Sequence, residues 1–129
     1  MSTHAIIALP CKEGYETCWN WNDGYPAYLG RELRQHFRSI DAVRELMETK
    51  SFSVICGPRR INDYMTEDGD TALYLPLSNR YLLIHPHMGG VVEGKGKRAI
   101  IKTIQDMLDR DVNYVYVFDP ETNKWKTYK

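Results

Sequence analysis

Cys18-Trp19-Asn20-Trp21-Asn22-Asp23-Gly24-Tyr25-Pro26 is the stretch on which the reading of this chain turns. Two of the three tryptophans lie here, beside a tyrosine, an acid and a turn. Gly14 to Cys18 leads in with strand-forming residues. Trp19 and Trp21 have the same parity, so they share one face if the strand continues to them. Asp23-Gly24 is a turn dipeptide, with Gly24 free to take positive φ. Pro26 suits the first turn of a helix, where its missing N–H would have no partner in any case. Leu29, Leu33 and Phe37 then recur every four residues. This predicts a helix from about Ala27 to Phe37 with a buried stripe, and Arg31, Arg34, Gln35 and Arg38 turned mostly to water. The aromatic turn thus sits at a helix N-terminus, where free N–H groups favour an anion. Trp19 and Trp21 either plug one end of the core or offer a stacking surface to a flat ligand.

At these residues the chain resembles a group of small, mostly uncharacterised phage and prophage proteins. They open with a short apolar strand, carry a W-D-G-Y-P turn, and continue into a helix of the type G-R-x-L-x-x-H-[FY]. The matching residues are His4 to Leu9, Asp23-Gly24-Tyr25-Pro26, and Gly30-Arg31 with Leu33, His36 and Phe37. Those proteins usually have a histidine and a tryptophan directly before the aspartate, where this chain has Trp19-Asn20-Trp21-Asn22. The resemblance lies mainly over residues 1–40. It implies a phage origin and a fold, and no activity assigned to particular residues.

Length and charge set the outer limits. The 129 residues suit one domain, 1–129, with a real core. Seventeen basic and seventeen acidic residues balance, which disfavours a globally basic nucleic-acid binder but not a local basic patch. Cys11, Cys18 and Cys56 are widely spaced and form no C-x-x-C pair, as expected of a reducing compartment. Met1-Ser2-Thr3-His4 does not read as a signal peptide, and no apolar run reaches membrane-spanning length. The expected setting is the cytoplasm of a host bacterium, with no membrane partner.

The remaining elements follow from pattern. Ala5 to Leu9 is a strand stopped by Pro10, hairpin-paired with Tyr15 to Trp19. Ser39 is an N-cap for a second helix that buries Val43, Leu46 and Met47 and ends near Lys50. Phe52 to Cys56 is a third strand, closed by Gly57-Pro58. Thr71 to Leu77 and Arg80 to His85 form a hairpin around Ser78-Asn79. A third helix is expected from about Lys97 to Asp109, with Ile101, Ile104 and Leu108 inward. Tyr114 to Phe118 and Trp125 to Tyr128 form a terminal hairpin, with Trp125 packed across it. Lys124, Lys126 and Lys129 suit an exposed edge. Grouped strands argue an α+β fold, with a mainly antiparallel sheet carrying about three helices.

Two further segments bear on function. His85-Pro86-His87-Met88-Gly89-Gly90 runs on to Gly94-Lys95-Gly96-Lys97-Arg98. Its glycines, with Lys95, Lys97 and Arg98, suit either a solvated loop or an anion site, without Walker spacing. His85 and His87 share a parity but lack a third and fourth metal ligand, so they read as hydrogen-bonding or turn residues. Asp68-Gly69-Asp70 lacks calcium-loop spacing and reads as a solvated turn. No metal or cofactor is expected.

No catalytic residue stands out, because nothing marks Cys18 or Cys56 as paired with His36, His85 or His87. The leading expectation is a phage-type accessory protein that interferes with a host process as an anti-defence factor. It would bind and sequester a nucleotide-type ligand. Trp19, Trp21 or Tyr25, around Asp23, would stack on the base. Arg31, Arg59, Arg60, Lys95 and Lys97 would meet phosphates, near His85 and His87. One alternative is inhibition of a host protein through an aromatic and arginine patch. Another is a small nuclease or phosphodiesterase with His85 and His87 as acid and base. A homo-oligomer is one way a small chain can build such a pocket.

Overall fold

The computed structural model describes residues 2–86 and 99–129. β1 (Ala5–Cys11) and β2 (Gly14–Asn20) form the expected hairpin, from Ala5↔Asn20 to Cys11↔Gly14. β1 passes through Pro10 instead of stopping there. Beyond Ala8 it has no strand partner on its other edge among the described residues, and Pro10 removes no ladder bond to them on that side. Ala5 to Leu9 are all buried, because β1 lies inside the sheet with apolar layers on both faces.

β3 (Ser51–Phe52), β4 (Val54–Cys56), β5 (Thr71–Leu75), β6 (Arg80–Ile84), β7 (Ile100–Ile101), β8 (Tyr114–Asp119) and β9 (Lys124–Tyr128) complete the strands. They form two sheets. The larger runs β3-β2-β1-β8-β9, with β7 also on β2, and the smaller runs β4-β6-β5. The fold is α+β, but the larger sheet is mixed. β1 pairs parallel with β8, and β2 parallel with β3. The other pairings are antiparallel, so the mainly antiparallel expectation holds apart from these two contacts. β1 and β8 are joined through helices and a second sheet, so no tight turn dictates their relative direction.

The described residues carry four short α-helices: α1 (Arg31–His36), α2 (Ile40–Met47), α3 (Ile61–Tyr64) and α4 (Ile104–Leu108). A π-helical turn, Pro26–Gly30, leads directly into α1, so Pro26 does open a helical run. Leu29, Leu33 and Phe37 are all fully buried, as the four-residue spacing predicts. Ser39 caps α2, its Oγ accepting from the Ala42 N–H at 3.2 Å. The expected helix from Lys97 begins later. Ile100 and Ile101 are strand, and Thr103 caps α4 by accepting from the Asp106 N–H at 3.0 Å. α3 has no counterpart in the sequence reading.

The expected strand Phe52 to Cys56 breaks at Ser53, and the break joins the two sheets. The Ser53 N–H donates to Leu83 O at 2.7 Å, in the smaller sheet. Its carbonyl accepts from the Asn22 N–H at 2.9 Å and from Asn20 Nδ2 at 3.0 Å, beside the larger one. One core spans both. Ala5, Ile7 and Leu9 of β1 meet Leu33, Val43 and Leu46 of the helices and Ile55, Leu82 and Ile84 of the smaller sheet. On the other face Ile6 and Ala8 meet Ile101, Met107, Val115 and Val117. Both late hairpins form as expected. Trp125 packs across the second, 5.1 Å from Phe118 between ring centres, and its Nε1 donates to Phe37 O at 2.9 Å.

The turn at Asp23-Gly24 reverses the expected roles. Asp23 takes the left-handed conformation, φ 57°, and Gly24 does not. Gly24 is needed because the backbone is crowded. A Cβ there would lie 2.7 Å from Asn20 Oδ1, 2.9 Å from Ala5 Cβ and 3.0 Å from Thr3 O. Its N–H donates to Thr3 O at 3.0 Å, and its carbonyl accepts from the Tyr116 hydroxyl at 2.7 Å. Gly24→Ala should therefore destabilise the fold by about 1–3 kcal/mol, the usual cost of overpacking. Urea unfolding followed by tryptophan fluorescence measures it, and an unchanged midpoint would refute the crowding argument.

Candidate functional site

The π turn and α1 bring Tyr28, Arg31 and Glu32 to one wall of a cavity. The end of β4 supplies Cys56, followed by Gly57, Pro58, Arg59 and Arg60, and the β5–β6 turn supplies Asn79 and Arg80. The space is about 490 Å³ and open to solvent. Four of its ten lining residues are arginines and one is an acid, so its field favours an anion.

Arg80 organises this lining. Its Nε stands 3.6 Å from Glu32 Oε2, and its Nη2 meets the His36 ring, 3.3 Å from Nδ1 and closer to Nε2. Its guanidinium lies over Gly57, where a Cβ would collide with Nη1. The Tyr28 hydroxyl donates to Ile55 O at 2.6 Å and anchors that wall to β4. Burial raises the Glu32 pKa, while Arg80 and Arg31 pull it back without cancelling the rise. Burial and the neighbouring Arg80 charge both lower the His36 pKa. Burial, with Glu32 nearby, pushes the Cys56 thiol up to about 11. It stays protonated at neutral pH and lacks the thiolate a nucleophile needs.

The structure gathers some of the expected residues and separates others. Arg31, Arg59 and Arg60 share the cavity. Tyr25 is exposed beside it, its ring 6.3 Å from that of Tyr28. Trp19 and Trp21 are elsewhere. They stack on each other at 5.7 Å and 27°, and Trp19 packs on the Ile6 and Val115 side of the larger sheet. His4 closes over Trp21 edge-on at 5.2 Å, its Nδ1 2.6 Å from Trp21 O. Asp23 belongs to the turn between these two regions. His85 joins an acidic loop, with Nδ1 2.7 Å from Asp70 Oδ1 and 3.1 Å from Glu67 Oε2. Burial raises the Asp70 pKa, but hydrogen bonds from His85 and from backbone N–H groups outweigh it and hold Asp70 below the usual carboxylate range. His87, Lys95 and Lys97 lie outside the described residues.

Sequence reasoning missed Glu32, His36 and Arg80 as partners. The i,i+4 spacing of Glu32 and His36 is visible in the sequence, and His36 Nε2 stands 3.4 Å from Glu32 Oε2. Arg80 had no local signal, because it arrives from 44 residues away in sequence.

The chain matches no protein-family model, no curated protein sequence and no solved structure. No helix among the described residues is long and apolar enough to cross a membrane.

His36 gives this cluster a pH signature. Its folded pKa is lowered, so its contribution is complete above the unfolded value of about 6.5 and is lost as pH falls. An asparagine at this position has an oxygen that accepts from Arg80 without titrating. The stability advantage of the chain over its His36→Asn variant should thus shrink between pH 7.5 and 5.5. Urea midpoints across that range test it, and a constant difference would refute it.

Proposed function

We propose that this protein binds and sequesters a phosphate-bearing, nucleotide-type ligand in the arginine-lined cavity. The observation that carries the reading is the convergence of Arg31, Arg59, Arg60 and Arg80 on one open space beside two tyrosines. Arg80 is committed to Glu32 and His36, and so shapes the wall. Arg59 makes no ion pair among the described residues, while Arg60 has an exposed contact with Asp63 at 3.7 Å and lies over the Tyr64 ring, 5.8 Å from its centre. Guanidinium forks suit phosphate oxygens, and exposed Tyr25 offers a ring to a base. Trp19 and Trp21 serve this ligand less well, because Trp19 packs on the face opposite the core that Tyr28 joins. The protonated Cys56 thiol supports binding over nucleophilic turnover. The likeness of residues 1–40 to phage proteins supports an accessory role in a host bacterial cytoplasm, where holding such a ligand would deprive a host process of its signal.

Thermal shift and calorimetry against AMP, ATP, cyclic nucleotides and inorganic phosphate test the reading. A nucleotide should raise the melting temperature and be recovered intact. Hydrogen bonds to charged groups contribute about 1.5–3 kcal/mol each, so Arg31→Ala or Arg59→Ala should weaken binding roughly tenfold or more. Binding that ignores both substitutions, or a ligand returned chemically changed, would reject it.

A further inference from the structure

A second basic cavity lies at the other end of α1. Arg34, Arg38, Thr122, Asn123, Lys124 and Trp125 line about 530 Å³. Three of these six are cationic and none is acidic. In the adjoining turn Asp119 is tied up, accepting from the Glu121 N–H at 2.9 Å and the Thr122 hydroxyl at 3.1 Å, while Glu121 next to Thr122 is exposed. The Trp125 bond to Phe37 O sets the β8–β9 turn against the end of the helix. It brings the cavity a half-buried indole as well as Lys124.

The two cavities lie along α1 and the residues just after it. Arg31 lines the first, while Arg34 and Arg38 line the second. All three side chains are exposed. Arg34 Nη1 lies back along the helix, 3.0 Å from where a Gly30 Cβ would be, which turns it toward the Arg31 end. At about 1.5 Å of rise per residue, the five steps of α1 from Arg31 to His36 span roughly 7.5 Å, and Arg38 lies two residues past the helix end. That helical span matches about three phosphates at the ~3.4 Å axial spacing of a stacked strand. A mononucleotide fills one cavity and leaves the other cations idle.

Building on the nucleotide reading above, we infer that the ligand is a short single-stranded oligonucleotide lying across both cavities. Its phosphates follow Arg31, Arg34, Arg38 and Lys124. Tyr25 and Trp125 stand at the two ends, where unstacked bases can rest on them. A neutral overall charge is compatible with this, because the basic residues concerned are gathered along α1, the residues just after it and the turn beside it.

The test compares dAMP with a six-nucleotide oligo(dA) and with a duplex of the same length. The chain, its Arg34→Ala/Arg38→Ala variant and its Arg59→Ala variant are each titrated at several salt concentrations. The hexamer should bind at least tenfold more tightly than dAMP. Arg34→Ala/Arg38→Ala should bring the hexamer down to the dAMP level and leave dAMP binding unchanged. It should also make the slope of log K against log salt shallower by about 0.7 for each phosphate that is no longer neutralised. Both side chains are exposed, and an unchanged melting temperature confirms that the variant is folded. A Lys124→Ala variant gives a second reading from the opposite wall. A hexamer no tighter than dAMP, a hexamer insensitive to the Arg34 and Arg38 substitutions, or a preference for duplex would overturn this inference and leave the nucleotide site standing. If neither dAMP nor the hexamer binds, or Arg59→Ala weakens nothing, both fall.

Discussion

The backbone at Ser53 holds the molecule together. A strand that ran straight from Phe52 to Cys56 would belong to a single sheet. Ser53 instead gives its N–H to one sheet and its carbonyl to residues at the end of β2. It is almost fully buried, so each of those polar groups needs a protein partner. Asn20 supplies one of them with its side-chain amide, and its Oδ1 is then buried without a hydrogen-bond partner among the described residues. This crossing places the Cys56 to Arg60 segment opposite α1, and the arginine cavity exists because of that placement.

The electrostatics of the site follow a similar logic. A half-buried carboxylate is costly unless a cation comes with it. Glu32 receives Arg80, and Gly57 leaves room for the guanidinium. Arg80 also presses on His36 and keeps that ring from easily gaining a proton. The inner charges are therefore balanced among themselves. Arg31, Arg59 and Arg60 line the cavity with exposed side chains. The same helix and the residues just after it carry basic side chains onward to a second cavity, which makes α1 the spine of the proposed binding surface.

Local chemistry was readable wherever one short segment settled the outcome. The β1–β2 and β8–β9 hairpins, the Ser39 cap and the Leu29, Leu33, Phe37 stripe all depend on neighbours a few residues apart. The Asp23-Gly24 turn is recognisable, but the positive φ falls on Asp23 and not on Gly24. The glycine answers to Ala5 and Thr3, which are brought there by the sheet. The helix expected from Lys97 begins late because Ile100 and Ile101 add to the edge of β2, a pairing across more than eighty residues. Arg31, Arg59 and Arg60 line one cavity, but Trp19, grouped with them in the sequence reading, packs on the other face of the sheet with Trp21 stacked on it.

The sequence by itself determined the α+β class, the hairpins, the Ser39 cap and the buried Leu29, Leu33, Phe37 stripe, because these rest on residue type and short-range spacing. Tertiary structure alone decided the mixed sheet, the break at Ser53, the placing of Arg80 between Glu32 and His36, and the parting of tryptophans from arginines. Each of those is set by the burial and pairing of groups far apart along the chain, for which a linear pattern carries no signal.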